Sequence, residues 1–347
     1  MPRIYLDHAA TTPMRPEAKA AMAAALERWA NPSSPHAEGR AARAALEDAR
    51  ARIKAALGWR GELIFTSGAS EALWIALNRA KLKRRIVSAV EHDAVFRAAP
   101  DAELVPVTDY DVDADALRSL LARGGPAVVA IQHMNSETGI TQLVRVYTDQ
   151  VRARGGILVS DCAQSAGKED LPDADMIIVS AHKLGGPPGV GALLVRDLGL
   201  LEPVGGHEFG YRAGTENLPA ILGFAAAAEQ SGLDNWAIDA YAMMEFREAL
   251  EAVGEPVGAG LMTMRLFAIA MPGKSAAAQL IRFDAMGFAV SAGSACSSGT
   301  LKRSRALAAF DVPEEVAART IRISMGWNTT EADLNAFRDA WLEVART

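Results

Sequence analysis

Lys183 stands at the end of Ser180-Ala-His-Lys183, just past an apolar run, and Asp161 directly follows another apolar run that ends at Ser160. A lysine amine and a carboxylate in such places suit pyridoxal phosphate (PLP). That cofactor needs an amine for a Schiff base and a carboxylate to keep its pyridine nitrogen protonated, which makes the ring an electron sink. Gln164 lies three residues beyond Asp161. Taken singly, Asp161 also reads as a helix cap or surface turn, and Lys183 as a solvated lysine. Ser67-Gly-Ala-Ser70 sits at a strand-to-helix turn, where free backbone N–H groups and the helix dipole attract phosphate, though serine there is also an ordinary cap. His92, in Val90-Glu-His92, follows a further apolar run. Its flat imidazole suits stacking on a planar ring, and a surface histidine is the plainer reading. Cys296 lies in Ser291-Ala-Gly-Ser-Ala-Cys-Ser-Ser-Gly299. Small residues on both sides leave its thiol open to approach, and the thiolate fraction is the nucleophile. Arg322 alternates with isoleucines in Thr320-Ile-Arg-Ile-Ser324. A guanidinium there is either an outward arginine of an edge strand or a two-pronged grip for a carboxylate.

The elements that must position these residues alternate between helical and strand patterns. Residues 18–29 and 37–57 are alanine-rich with helical spacing. Strands are predicted at 62–66, 85–88, 104–107, 127–132, 157–160, 176–180 and 190–195, with a helix that follows the 67–70 turn and runs to about 78 and further helices at 94–98, 114–123 and 143–154 between them. Strands alternating with helices imply crossover connections and a mostly parallel sheet, which binds ligands at the carboxyl ends of its strands. After about residue 219 the pattern changes. Two long helices, 220–230 and 236–253, precede an α+β unit with strands near 266–270, 289–291 and 320–324, a helix near 276–283 and a last helix from 331. A domain boundary falls near residue 250.

The chain has 347 residues, half of them apolar, and a net charge of −6. With no basic stripe there is no electrostatic case for nucleic acid. No run approaches the roughly 20 apolar residues of a membrane span, and the start lacks a signal peptide's apolar core. Two cysteines, Cys162 and Cys296, make neither a disulfide framework nor a zinc site, so no metal is expected. A reduced, cytoplasmic compartment fits.

Together these pieces resemble the cysteine desulfurases of the class V (fold type I) PLP-dependent aminotransferase superfamily. The likeness runs from Tyr5-Leu-Asp-His-Ala-Ala-Thr-Thr-Pro13 to Ser324-Met-Gly-Trp-Asn-Thr-Thr-Glu331. It passes through Asn31-Pro-Ser-Ser-Pro-His36, Phe65-Thr-Ser-Gly-Ala-Ser-Glu71, Glu91-His92, Asn135-Ser-Glu-Thr-Gly139, Asp161-Cys-Ala-Gln-Ser165, His182-Lys183, Gly205-Gly-His-Glu-Phe-Gly-Tyr-Arg-Ala-Gly-Thr-Glu-Asn217 and Gly293-Ser-Ala-Cys-Ser-Ser298. Each motif alone is weak or moderate, and their joint order and spacing are specific.

The resemblance implies an α/β fold: a large PLP-binding domain over 15–250 with a mostly parallel sheet flanked by helices, and a small α+β domain of 1–14 and 251–347. It implies that Lys183 carries PLP, Asp161 pairs with the pyridine nitrogen, Gln164 bonds the phenolic oxygen and His92 stacks on the ring. Ala69, Ser70, Ser180 and His182 would hold the phosphate, with Thr215 reaching it from the other subunit of a homodimer. Arg322 would bind the carboxylate of L-cysteine, with Asn135 and Ser136 beside the substrate. The freed Lys183 amine would take the Cα proton. Cys296 would then attack the substrate sulfur and become a persulfide, leaving alanine, before passing sulfur to an acceptor protein, for instance an iron–sulfur scaffold. Selenocysteine lyase or another class V PLP enzyme is the alternative. Ser136 stands where the family usually has asparagine and Ala181 where glycine is common. The longer C-terminal tail by which some relatives dock a scaffold is not evident.

Overall fold

The computed structural model describes residues 3–28, 30–293 and 304–346, so Cys296 lies outside the described residues. Seven short strands build the main sheet: β1 (Glu62–Thr66), β2 (Arg84–Ser88), β3 (Glu103–Val105), β4 (Ala127–Ala130), β5 (Ile157–Asp161), β6 (Met176–Ser180) and β7 (Gly191–Val195). Their order is β1-β7-β6-β5-β4-β2-β3. Only β7 runs antiparallel to its two neighbours, and the other pairings are parallel. β4, β6 and β7 are buried at every position, as continuous apolar strands are when helices cover both faces.

Each face has its own apolar cluster. Ala18, Leu46, Ile53 and Phe224, from the helices Pro16–Leu26, Ala37–Ala56 and Leu218–Glu229, meet Phe65 and Val179 on one side. Leu73 and Val95, from the helices Ala69–Asn78 and Asp93–Ala98, meet Val87 and Ile178 on the other. A second, antiparallel sheet orders β8 (Glu255–Val257), β9 (Leu266–Ala270) and β10 (Thr320–Ser324). Phe246, Phe283, Phe337 and Trp341 from the helices Ala240–Glu251, Ala276–Ala285 and Glu331–Arg346 form its core. The indole of Trp341 stacks on Phe283 with ring centroids 6.0 Å apart. The N-terminal strand Ile4–Tyr5 pairs in parallel with Phe288–Ala289, which brings the start of the chain to this C-terminal unit.

Three elements differ from the sequence-based expectation. The strand expected at 104–107 divides into Glu103–Val105 and Val107–Thr108, because Pro106 has no N–H to give to a ladder. The helix expected from 236 starts at Ala240, where the Asp239 side chain accepts from the Ala242 N–H and so fixes the first turn. The strand expected at 289–291 is Phe288–Ala289, with Ser291 joined to Arg322 by an isolated bridge. No helix among the described residues is long and apolar enough to cross a membrane.

A buried ion pair locks the loop after β7 to the main sheet. Arg50 Nη1 and Nη2 donate to Glu208 Oε2 and Oε1 at 2.8 and 3.0 Å, and Glu208 Oε2 also accepts from the Phe65 N–H at 2.7 Å. Removing Glu208 leaves the buried Arg50 with Glu47 alone, at 2.9 Å from Nε, to face its charge, and leaves the Phe65 N–H without this acceptor. Glu208→Ala is therefore expected to cost about 3–5 kcal/mol, read as a lowered urea midpoint. A midpoint within error of the parent would refute the anchoring role.

Candidate functional site

Because the parallel strands end together, the polar residues that follow them converge. A cleft of about 960 Å³ is lined by Ala69, Ser70, His92, Asn135, Ser136, Asp161, Gln164, Ser180, His182, Lys183 and Arg322. Ser180 ends β6 and Asp161 ends the adjacent β5. Lys183 closes a single 3-10 turn, Ala181–Lys183, that carries it past Ser180. The segment is held from outside the sheet: Thr12 Oγ1 donates to the Lys183 carbonyl at 3.1 Å, and His182 Nδ1 lies 3.1 Å from Thr11 Oγ1. Asp161 Oδ1 accepts from the Ala163 N–H at 2.9 Å, which makes the turn that points Gln164 inward. Gln164 Nε2 donates to the Ala9 carbonyl at 2.9 Å.

The helix Ala69–Asn78 presents its N-terminus to the same cleft. Gly68 precedes it at φ +147, with open space where a Cβ would stand. An L side chain rarely takes that conformation, so glycine here leaves the first N–H groups uncovered. His92 caps the helix Asp93–Ala98 by accepting from the Ala94 N–H at 3.2 Å. Burial lowers its pKa, against the opposing charge of Asp161. His182 is lowered to about 4 by burial and by the charges of Lys183 and Lys168. Both imidazoles are thus neutral at neutral pH, as flat stacking or accepting groups rather than cations.

Arg322 enters from β10 and is buried. Nη2 meets Asp7 Oδ1 at 2.7 Å and Nη1 donates to the Ser136 carbonyl at 2.9 Å, while Nε has no partner among the described residues. Asp7 is held in turn by Ser291, whose hydroxyl donates to Oδ2 at 2.8 Å. The guanidinium is thus held at both Nη atoms, with Nε its one donor left without a partner among the described residues. Asn135 is spent on its own turn: its Oδ1 accepts from Glu137 N, Thr138 N and Thr138 Oγ1, and its Nδ2 donates to the Val90 carbonyl. Thr215 is exposed and does not line this chain's cleft. Cys162 is fully buried in the core, which pushes its thiol pKa up and leaves it inert.

The structure adds residues that the motifs did not single out for a role. Asp7 is one, and the signal for it was that a buried strand arginine requires a carboxylate. Glu91 is another. Its Oε1 accepts from Ser88 Oγ at 2.6 Å and from the Gln132 N–H at 2.7 Å, while Oε2 has no partner among the described residues. Complete burial, with a smaller push from Asp161, raises its pKa to about 8. Glu137, also in the cleft, has its pKa raised by burial and accepts from Ser304 Oγ at 2.6 Å. The cleft as a whole fits a flat, phosphorylated, aldehyde-bearing ring: an amine, a carboxylate on the neighbouring strand, a neutral imidazole and an uncovered helix N-terminus. Among the described residues no group of three or more His, Cys, Asp or Glu could hold a metal ion.

The chain is similar to known proteins over nearly its whole length. The family model described as aminotransferase class-V matches residues 4–337. The cysteine desulfurase IscS of Dictyoglomus turgidum is 35% identical over 365 residues, covering 96% of this chain and 92% of that protein. The X-ray structure of a NifS-like protein from Rickettsia africae superposes with a TM-score of 0.88 at 29% identity, covering 99% of this chain and all of that one (100%). A structure described as SspA in complex with cysteine gives a TM-score of 0.79 at 26% identity, covering 94% and 99% of the two chains.

The raised pKa of Glu91 has a sign that can be tested. The native state holds a proton that an unfolded glutamate releases near pH 4.5, so this group's stabilisation is present below pH 4.5 and is lost as pH rises through about 8. Glu91→Gln mimics the protonated side chain. Its urea midpoint should change less between pH 4.5 and 8 than the parent's. Parallel profiles for the two proteins would show that Glu91 is ionised in the native state.

Proposed function

This chain belongs to the class V aminotransferase family, and from that premise we propose that it is a PLP-dependent cysteine desulfurase. It takes sulfur from L-cysteine onto Cys296 and releases L-alanine. The observation that carries the reading is the convergence of Lys183, Asp161 and Arg322 on one cleft from three different strands or strand ends. The cysteine desulfurases among its relatives, aligned over nearly the whole chain, support it.

Lys183 would hold the cofactor covalently, with Asp161 at its pyridine nitrogen, Gln164 at its phenolic oxygen and His92 against the ring face. Ala69, Ser70, Ser180 and His182 would receive the phosphate, and Thr215, exposed in this chain, would serve the site of a homodimeric partner. When bound, the cofactor supplies an electron sink that makes the substrate Cα–H acidic. Everything else falls to the protein. The Nε edge of Arg322 grips the substrate carboxylate and so orients the Cα proton. Lys183 Nζ takes that proton as a base. Cys296, as thiolate, attacks the substrate sulfur, the Cβ–S bond breaks with its electron pair left on Cβ, Cβ takes a proton there and Cα recovers one from Lys183 Nζ to give alanine, and the enzyme keeps the sulfur as a persulfide for a protein acceptor. We propose iron–sulfur cluster assembly as the setting, in keeping with the relatives called cysteine desulfurase IscS, and a cytoplasmic location. The chain would divide functionally into a large PLP-binding domain (15–250) and a small domain (1–14 with 251–347) that supplies Arg322 and Cys296.

Borohydride reduction of PLP-saturated protein should leave the pyridoxyl group on the Lys183 peptide, read by mass mapping, and an unmodified Lys183 would end the proposal. Cys296→Ala should keep the visible absorbance of the bound cofactor and lose sulfide release, so an unchanged rate would remove the persulfide step. Arg322→Ala forfeits a charged hydrogen-bonded contact and should raise KM for cysteine by roughly 10–100-fold. Cysteamine, which lacks the carboxylate, should lose clearly less than cysteine, its loss reflecting only the broken contacts to Asp7 and Ser136. Equal loss for both compounds would overturn the assigned role of Arg322.

A further inference from the structure

A second and much smaller cavity of about 10 Å³, which shares Lys183 with the cleft, has the space one water-sized particle occupies. Arg15, Lys168, Lys183, Trp236 and Trp327 contribute to its wall, and no carboxylate does. Two of the wall's donors have no acceptor among the described residues: Arg15 Nε and Trp236 Nε1. Arg15 is buried (5% exposed) and forms no ion pair among the described residues; its guanidinium lies over the Trp327 ring at 5.2 Å. Lys168 donates to the Gln164 carbonyl at 3.2 Å. The acids within reach do not neutralise this group. Glu169 pairs with Arg265 at 2.7 Å, and Glu17, whose charge acts on Arg15, is exposed. The Ser231 hydroxyl donates its hydrogen to the Ala228 carbonyl at 2.7 Å and brings no charge.

Buried cations are costly unless an opposite charge faces them. A water molecule placed among these groups could accept from two donors and donate to the Thr12 and Ser231 hydroxyl oxygens of the wall, but it brings no charge to face Arg15 and Lys168. A small anion accepts from the donors and supplies that charge. Burial, together with the charges of Arg265, Lys183 and Arg15, pushes the Lys168 amine well below its ordinary pKa, the direction that a bound anion would reverse. We propose that this cavity binds one monovalent anion of halide size, held by Arg15 Nε, Trp236 Nε1 and the Lys168 ammonium. The site is separate from the cofactor cleft, shares only the Lys183 wall with it, and does not depend on the function proposed above.

The test is thermal unfolding of the full chain, saturated with PLP, at fixed ionic strength with chloride, bromide or the bulky anion gluconate. Chloride and bromide should raise Tm over gluconate in a saturable way, by roughly 2 °C. The rise should shrink in Arg15→Gln and in Trp236→Phe. A crystal soaked in bromide should show one anomalous peak between Arg15 and Trp236. Equal Tm in all three salts, a rise that persists undiminished in Trp236→Phe, or a cavity without anomalous signal would each overturn the proposal. Trp236→Phe changes only the N–H and one ring, so it still decides the matter if Arg15→Gln fails to fold.

Discussion

The ion pair between Asp7 and Arg322 ties together parts of the chain that are 315 positions apart. It is the contact on which the site's shape depends. Arg322 is buried on β10, so its charge has to be met. It is met on one edge by Asp7, from the N-terminal segment, and by the Ser136 carbonyl, from the turn after β4. Asp7 also accepts from Ser291, just before the stretch that carries Cys296. One guanidinium thus aligns the N-terminal segment, the main sheet's 134–139 turn and the C-terminal unit around a single point. Nε is the one donor of this guanidinium left without a partner among the described residues.

A second constraint is the common direction of β2, β4, β5 and β6. Parallel strands end on the same side, so residues that follow different strands become neighbours without any local sequence relation. Asp161 and Lys183 meet for this reason. The chemistry of the cleft then follows from burial as much as from residue type. Neutral His92 and His182, a carboxyl at Glu91 with its pKa near 8, and an inert Cys162 are all consequences of removing water from groups that would behave differently at a surface.

Much of this was legible in advance, and the legible part has a common physical cause. Strands 62–66, 176–180, 266–270 and 320–324 read directly from their apolar, β-branched runs because both faces of each are covered, so no polar alternation obscures them. Lys183, Asp161 and His92 drew attention because each is a polar residue immediately after such a run. Less legible were positions governed by a single residue's backbone or cap, such as the break at Pro106 and the start of Ala240–Glu251 at Asp239. Asn135 was expected beside the substrate, yet its carboxamide is committed to the turn it begins, a competition between backbone and ligand that no motif reveals.

The sequence by itself determined the class of chemistry. Short apolar strands alternating with helices imply a mostly parallel sheet, and the types and order of the polar residues after them carry the family resemblance, which implies a cofactor site with an amine and a carboxylate, because those properties are local. Only the tertiary structure decided partners and protonation. That Arg322 is met by Asp7, that Gln164 holds Ala9, that Glu208 is gripped by Arg50, and that Lys168 and Arg15 share a cavity with no acid are facts of distance between remote segments. Coulomb energy and desolvation depend on those distances and on burial, neither of which is written in the spacing of residues along the chain.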